Sequence, residues 1–183
     1  GDNTLPDQIA AINELAGRYP YMDVDRVGIW GHSGGGFATV SALLRHPDFY
    51  KVGVSGAGNH DNRTYEDDWG EKWQGMLEVN PDGTTNYDNQ ANQLIVDNLK
   101  GKLLIAHGSM DSNVPPNNTL KVVEELMNAN KDFDMLIFPN SRHGFRQRDF
   151  WMRKRWDYFV QHLLNETPPK EYEFGKREPR QTL

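Results

Sequence analysis

The apolar run Arg26 to Trp30 passes without a spacer into Gly31-His32-Ser33-Gly34-Gly35-Gly36 and then into a helical stretch from Phe37 to Arg45. A strand delivered through a glycine-rich turn straight into a helix leaves few options, because the helix has to fold back across the sheet that holds the strand. Lys51 to Ser55, Lys102 to Ala106 and Asp134 to Phe138 read as three further strands, each apolar on both faces. Strands of that kind belong to a parallel sheet covered on both sides. Helical stripes fill the gaps. Leu5 to Tyr19 carries Leu5, Ile9, Ile12 and Leu15 on one face, with Pro6 in its first turn; Pro116 to Asn130 carries Leu120, Val123 and Leu126; Asp149 to Leu164 carries Trp156, Phe159 and Leu163. The alternation predicts an α/β fold, a parallel sheet flanked by helices, and 183 residues at 37% apolar suffice for one domain burying roughly 70% of its unfolded surface.

Charge and composition remove several classes of function. A net charge of −6 gives no protein-wide attraction for nucleic acid or anionic membranes. No apolar run approaches the ~20 residues that cross a bilayer, and the first residues do not predict a signal peptide. With no cysteine there are no disulfides, thiolate metal sites or Cys nucleophile, so the chemistry falls to Ser, His and carboxylates, and neither a metal nor a cofactor is expected. Residues 1–166 read as one domain and 167–183 as a charged, Pro-containing tail that either docks on a surface or stays disordered. Asn59 to Lys100 is far longer than a crossover between parallel strands requires, and excess of that kind is commonly functional.

Gly31-His32-Ser33-Gly34-Gly35 fits G-x-S-x-G, with Ser33 on a sharp strand-to-helix turn. The rival reading, a phosphate cradle, requires G-x-G-x-x-G or G-x-x-x-x-G-K-[ST], and neither is present. A serine hydroxyl needs a base oriented by a carboxylate, and behind such an elbow the order is Ser, Asp, His, with the later two in loops after later strands. Asp111 follows the third strand and His143 follows the fourth. Among the other histidines, His107 is the serious competitor because it ends a strand, but it precedes Asp111 and reads as a packed strand terminus.

At these positions the sequence resembles the prolyl oligopeptidase family of serine peptidases, in its dipeptidyl-peptidase IV-like branch. The likeness runs from about Pro6 to Leu164. It rests on Ile29-Trp30-Gly31-His32-Ser33-Gly34-Gly35, on Tyr65 to Gly75 in the long insert, and on His107-Gly108-Ser109-Met110-Asp111-Ser112-Asn113-Val114 followed by His143-Gly144. The resemblance implies the α/β-hydrolase fold, a triad of Ser33, Asp111 and His143, and an oxyanion donor in the Gly34 backbone N–H. It also implies that Tyr65, Trp69 and Val114 wall the pocket for the residue before the scissile bond, while Asn113 orients the substrate backbone. Three positions depart from the branch's usual pattern: His32 and Gly34 stand where Trp and Tyr usually flank the serine, and Trp69 stands for a usual Tyr.

The resemblance further implies a longer protein. Family members carry an N-terminal β-propeller that grips the substrate's amino terminus, and upstream strands of the hydrolase sheet, so this chain is expected to be the C-terminal portion of a catalytic domain. A peptide substrate, a periplasmic or secreted setting and release of dipeptides follow as expectations. An esterase or acyl hydrolase shares the same elbow and triad, and a catalytically silent fragment or interaction module is the reading from another class. The strand at Arg26 should have one bare edge, which predicts association into a homo-oligomer or with the upstream part.

Overall fold

The computed structural model describes residues 4–175. Four parallel strands form one sheet in the order β1 (Val27–His32), β2 (Tyr50–Gly56), β3 (Lys102–Gly108) and β4 (Asp134–Phe138). The helices are α1 (Leu5–Arg18), α2 (Gly34–Arg45), α3 (Asp67–Gln74), α4 (Asn117–Asn128) and α5 (Arg148–His162). Three strands run one or two residues beyond the carboxyl ends of the apolar runs that mark them, and these extra residues, Gly31, His32, Gly56, His107 and Gly108, lie where the site is built. Ladder hydrogen bonds do not require apolar side chains, so polar residues continue a strand that periodicity would end.

Burial along the strands follows their place in the sheet. Central β2 and β3 are almost wholly buried, whereas β1 and β4, at the two edges, are half-exposed. On β3 the two-residue period sorts Leu103 and Ile105 to one face and Leu104 and Ala106 to the other. The first face meets Val40, Leu43 and Leu44 of α2 and Val122 and Leu126 of α4, with Leu5 of α1 closing the end of the cluster. The second face is covered by α5, whose Trp151, Tyr158, Phe159 and Leu163 pack on Val52, Val54 and Leu104. Tyr158 also donates from its hydroxyl to Asp134 Oδ2 at 2.9 Å, tying α5 to the start of β4.

The outer edge of β1 pairs with no strand among the described residues. Trp30 stands there 56% exposed, with the Arg155 guanidinium 3.7 Å above its ring. Beyond α5 the chain is irregular from Asn165 to Gly175, and Phe174 sets its ring edge-to-face on Trp156, so the first part of the tail docks on α5. The rest of the 167–183 segment, from residue 176, lies outside the described residues. No described helix is long and apolar enough to cross a membrane.

Candidate active site

Ser33 separates β1 from α2 with φ 60° and ψ −125°, a backbone state that costs a non-glycine residue about 1 to 3 kcal/mol. The surroundings enforce it. The Ser33 N–H donates to Gly56 O at 2.8 Å, and α2 turns back so closely that a Cβ on Gly36 would stand 2.5 Å from the same carbonyl. A Cβ on Gly31 would collide with the Gly35 backbone, while one on Gly35 would meet open space. The glycines therefore do different work: Gly31 and Gly36 make room for the turn, and Gly35 presents its backbone. Serine at a helix N-cap normally spends its oxygen on the first-turn amides, yet Ser33 makes no such bond. Its hydroxyl is left available, and the neighbouring Gly34 N–H is among the first-turn donors that an α-helix cannot satisfy internally.

The carboxyl ends of β3 and β4 bring the next two residues together. The loop after β4 crosses within reach of β3 because Gly108 has no side chain; a Cβ there would lie 2.5 Å from the carbonyls of Ser141 and Arg142. Across this junction His143 Nδ1 lies 2.8 Å from Asp111 Oδ2. Asp111 is buried, and its Oδ1 accepts the backbone N–H groups of Asn113 and Val114, both at 3.0 Å. Since a carboxylate only accepts, the neutral form of His143 carries its proton on Nδ1, which leaves the lone pair on Nε2.

No hydrogen bond joins Ser33 to His143. The elbow and the His143 loop meet instead through His32, whose ring lies 5.0 Å from that of His143 and 5.2 Å from Phe145, edge-on. Burial, and then the nearby His143, push the His32 imidazole below its ordinary range, so it is neutral at pH 7.

His107 occupies a different place from His143. It is fully buried, its Nδ1 is 2.8 Å from Thr119 Oγ1, and its Nε2 is 2.9 Å from Val114 O and 3.3 Å from Asp111 Oδ2. With both nitrogens engaged and no access to solvent, it has no free position from which to take a proton off a nucleophile.

The insert supplies an aromatic wall. Tyr65 donates from its hydroxyl to Asn113 Oδ1 at 3.2 Å, and burial, followed by the charges of Glu66, Asp111 and Asp68, pushes its phenol above the usual range and keeps it a donor. Trp69 stands edge-on to Tyr65 at 6.3 Å and tilted against Trp73 at 5.7 Å. Its ring reaches to 3.4 Å from where a Gly34 Cβ would be, so the indole lies over the residue that follows Ser33. Beside it opens a cavity of about 600 Å³ lined by Gly34, Phe37, Ala38, Asn62, Trp69 and Trp73. Val114, by contrast, has no exposed surface. Its backbone N–H and carbonyl hold Asp111 and His107, and its side chain has no face on the open cleft.

The structure thus gathers Tyr65 with Asn113, Trp69 with Gly34, and Asp111 with His143, and brings His32, the residue before Ser33, into ring contact with His143. Sequence reading did not foresee the contacts of His32 and His107. The only signals for them were that one fills the variable position of the elbow and the other stands four residues before Asp111. Among the described residues no three His, Asp or Glu side chains converge as a metal ion would require.

Comparison with known proteins places this geometry in context. The sequence profile of the prolyl oligopeptidase family matches residues 1–166. Human (Homo sapiens) dipeptidyl peptidase 8 is 30% identical over 167 residues, covering 90% of this chain and 18% of that protein. Dipeptidyl peptidase 4 of Trichophyton equinum is 36% identical over 145 residues, 76% of this chain and 18% of that protein. The crystal structure of Porphyromonas gingivalis dipeptidyl peptidase 4 superposes with a TM-score of 0.77 at 31% identity, over 87% of this chain and 22% of that one. The chain therefore spans about a fifth of the length of the relatives it matches. Its parallel sheet, its elbow at Ser33 and a family match over nine-tenths of its length lead to one conclusion: the chain belongs to the prolyl oligopeptidase family, with the α/β-hydrolase fold.

Proposed function

We propose that this chain carries the triad of a serine peptidase that removes dipeptides from the amino ends of peptides, acting together with an upstream part of the same protein. The observation that carries the reading is the pairing of an N-cap serine that caps nothing, held at φ 60°, with a histidine whose Nδ1 is fixed to a buried aspartate at 2.8 Å. In this reading His143 Nε2 takes the Ser33 proton as Oγ attacks the scissile carbonyl carbon. The Gly34 N–H donates to the oxyanion that forms, and Asp111 steadies the imidazolium. His143 then returns the proton to the leaving amine. A water, activated by the same nitrogen, cleaves the ester on Ser33 and releases the dipeptide.

Substrate choice falls to the insert. The Tyr65 hydroxyl occupies Asn113 Oδ1, which leaves the Asn113 amide N–H groups for a substrate carbonyl. Tyr65 and Trp69 offer ring surfaces suited to a flat apolar side chain such as proline. Val114 acts on this site through its backbone, whose N–H holds Asp111 Oδ1. Relatives about five times longer support the upstream part, which would add a second oxyanion donor and a grip on the substrate's amino terminus. One missing oxyanion donor is worth roughly 10² to 10³ in kcat, so the chain by itself should turn over slowly at best.

A fluorophosphonate probe applied to the full-length protein, followed by peptide mapping, tests this directly. The adduct should sit on Ser33, and Ser33→Ala should lower dipeptide-amide hydrolysis roughly 10⁴-fold or more while leaving the melting temperature nearly unchanged. An adduct elsewhere, or an active Ser33→Ala protein, would overturn the assignment.

A further inference from the structure

We propose that His107 is a positioning residue of this site: its buried imidazole N–H, bonded to the Val114 carbonyl, also lies against the Asp111 oxygen that holds His143, and it thereby tunes how strongly Asp111 binds His143. The inference rests on the triad reading above.

The tautomer follows from the partners. Nε2 of His107 faces two groups that can only accept, the Val114 carbonyl at 2.9 Å and Asp111 Oδ2 at 3.3 Å, so Nε2 carries the proton, bonds it to Val114 O and presents its positive edge to Asp111. Nδ1 is then the acceptor, and the Thr119 hydroxyl 2.8 Å away donates to it. Burial, the largest influence on this ring, pushes its pKa below the ordinary histidine range, so it remains a neutral, single-proton donor near pH 7.

Counting donors on Asp111 gives the consequence. Oδ1 accepts two backbone N–H groups, Oδ2 accepts the His143 N–H at 2.8 Å, and the His107 Nε2–H stands 3.3 Å from Oδ2 as a second, weaker contact. A carboxylate oxygen shared between two donors gives each less than it would give one alone. His107 therefore restrains the pull of Asp111 on the His143 proton and fixes the carboxylate plane across which that bond forms. The titratable groups facing His107 are Asp111, His143, His32 and His60. His60 is wholly buried, with its pKa pushed down to about 3, and is neutral near pH 7.

The test uses the full-length protein in three forms: wild type, His107→Phe, which keeps a ring but no donor, and His107→Gln, which keeps a donor. The rate of fluorophosphonate labelling of Ser33 is followed against pH, and His143 is titrated separately by proton–nitrogen NMR of its ring. Without the competing donor, His143 should become more basic. In His107→Phe both the acid limb of the labelling rate and the NMR midpoint should move up by about half to one pH unit, with His107→Gln returning most of the way. Thr119→Val, a milder change that frees His107 Nδ1, should shift both in the same direction by less, and it carries the test if His107→Phe fails to fold. A lowered melting temperature with an unmoved limb and an unmoved NMR midpoint would make His107 purely structural and overturn the proposal. If Ser33 fails to label in the wild type while the His143 midpoint still shifts, the peptidase reading fails and the coupling stands.

Discussion

The elbow and the insert are held together in opposite ways. Around Ser33 the work is done by backbone packed against backbone: Gly36 against the Gly56 carbonyl, Gly31 against Gly35, and Ser33 N–H bonded to Gly56 O. From Asn59 to Lys100 it is done by side chains. Asp61, almost fully buried, accepts two bonds from the Arg63 guanidinium at 2.9 and 3.0 Å and one from Gln93, while its own N–H donates to Asn118 at the start of α4. Arg63 continues to Asp88 at 2.7 Å, and Asn92 donates to Phe37 O on the elbow helix. A backbone-locked turn tolerates no change of shape and suits a nucleophile that has to be aimed. A side-chain network can be rebuilt residue by residue without disturbing the backbone turn beside it.

The strongest way to break this contrast is at Asp61. Asp61→Ala leaves the Arg63 guanidinium with Asp88 alone, strands the Gln93 amide and removes the carboxylate that Lys121 of α4 approaches at 3.7 Å, at a cost of about 3 kcal/mol in a denaturant melt. Burial alone would raise the Asp61 carboxyl, but the Arg63 and Gln93 hydrogen bonds outweigh it and hold the group below the usual carboxylate range. Its folded pKa is thus depressed. The stability it contributes is full above the unfolded value near pH 3.9 and is lost as the pH falls from there through the lower folded value. Asp61→Asn should flatten that acid loss of stability, and a variant as pH-sensitive as wild type would show that the network is not what holds the insert.

A change at the elbow should cost less but act without regard to charge. Gly36→Ala forces a Cβ to 2.5 Å from a carbonyl, worth about 1 to 3 kcal/mol, whereas Gly35→Ala, one residue earlier and facing open space, should be neutral or stabilising by up to about 1 kcal/mol. Equal melting temperatures for the two variants would mean that the turn is not backbone-locked.

Finest of all is Trp69→Ala, which should leave the melting temperature nearly unmoved and lower kcat/KM for proline-type dipeptide amides roughly tenfold, about 1.4 kcal/mol, mostly through KM. Unfolding without a selective kinetic effect would instead place Trp69 among the supports of the insert and not on the substrate wall.

Legibility from sequence differs in the same way between the two regions. The elbow is readable because its parts are contiguous: strand, Gly31 to Gly36 and helix follow one another, so local pattern and local geometry coincide. Asp111 and His143 are readable by their order after β3 and β4. The insert yields its aromatic residues but not its network, since Asp61, Arg63, Asp88, Gln93 and Asn118 are scattered polar residues with no period. A buried ion pair leaves no mark in hydropathy.

By itself the sequence determined the α/β class, the four parallel strands with their flanking helices, the elbow, and the order Ser33, Asp111, His143. These follow from periodicity and chain direction, which are properties of neighbours along the chain. Only the tertiary structure decided that Gly36, and not Gly35, is the close contact, that Val114 is fully buried, that Trp69 lies over Gly34, and that His107 Nε2 approaches the Asp111 oxygen that His143 holds. Each of those depends on how near two distant segments come, and a few tenths of an ångström between separate elements is set by the packing of the whole sheet and its helices.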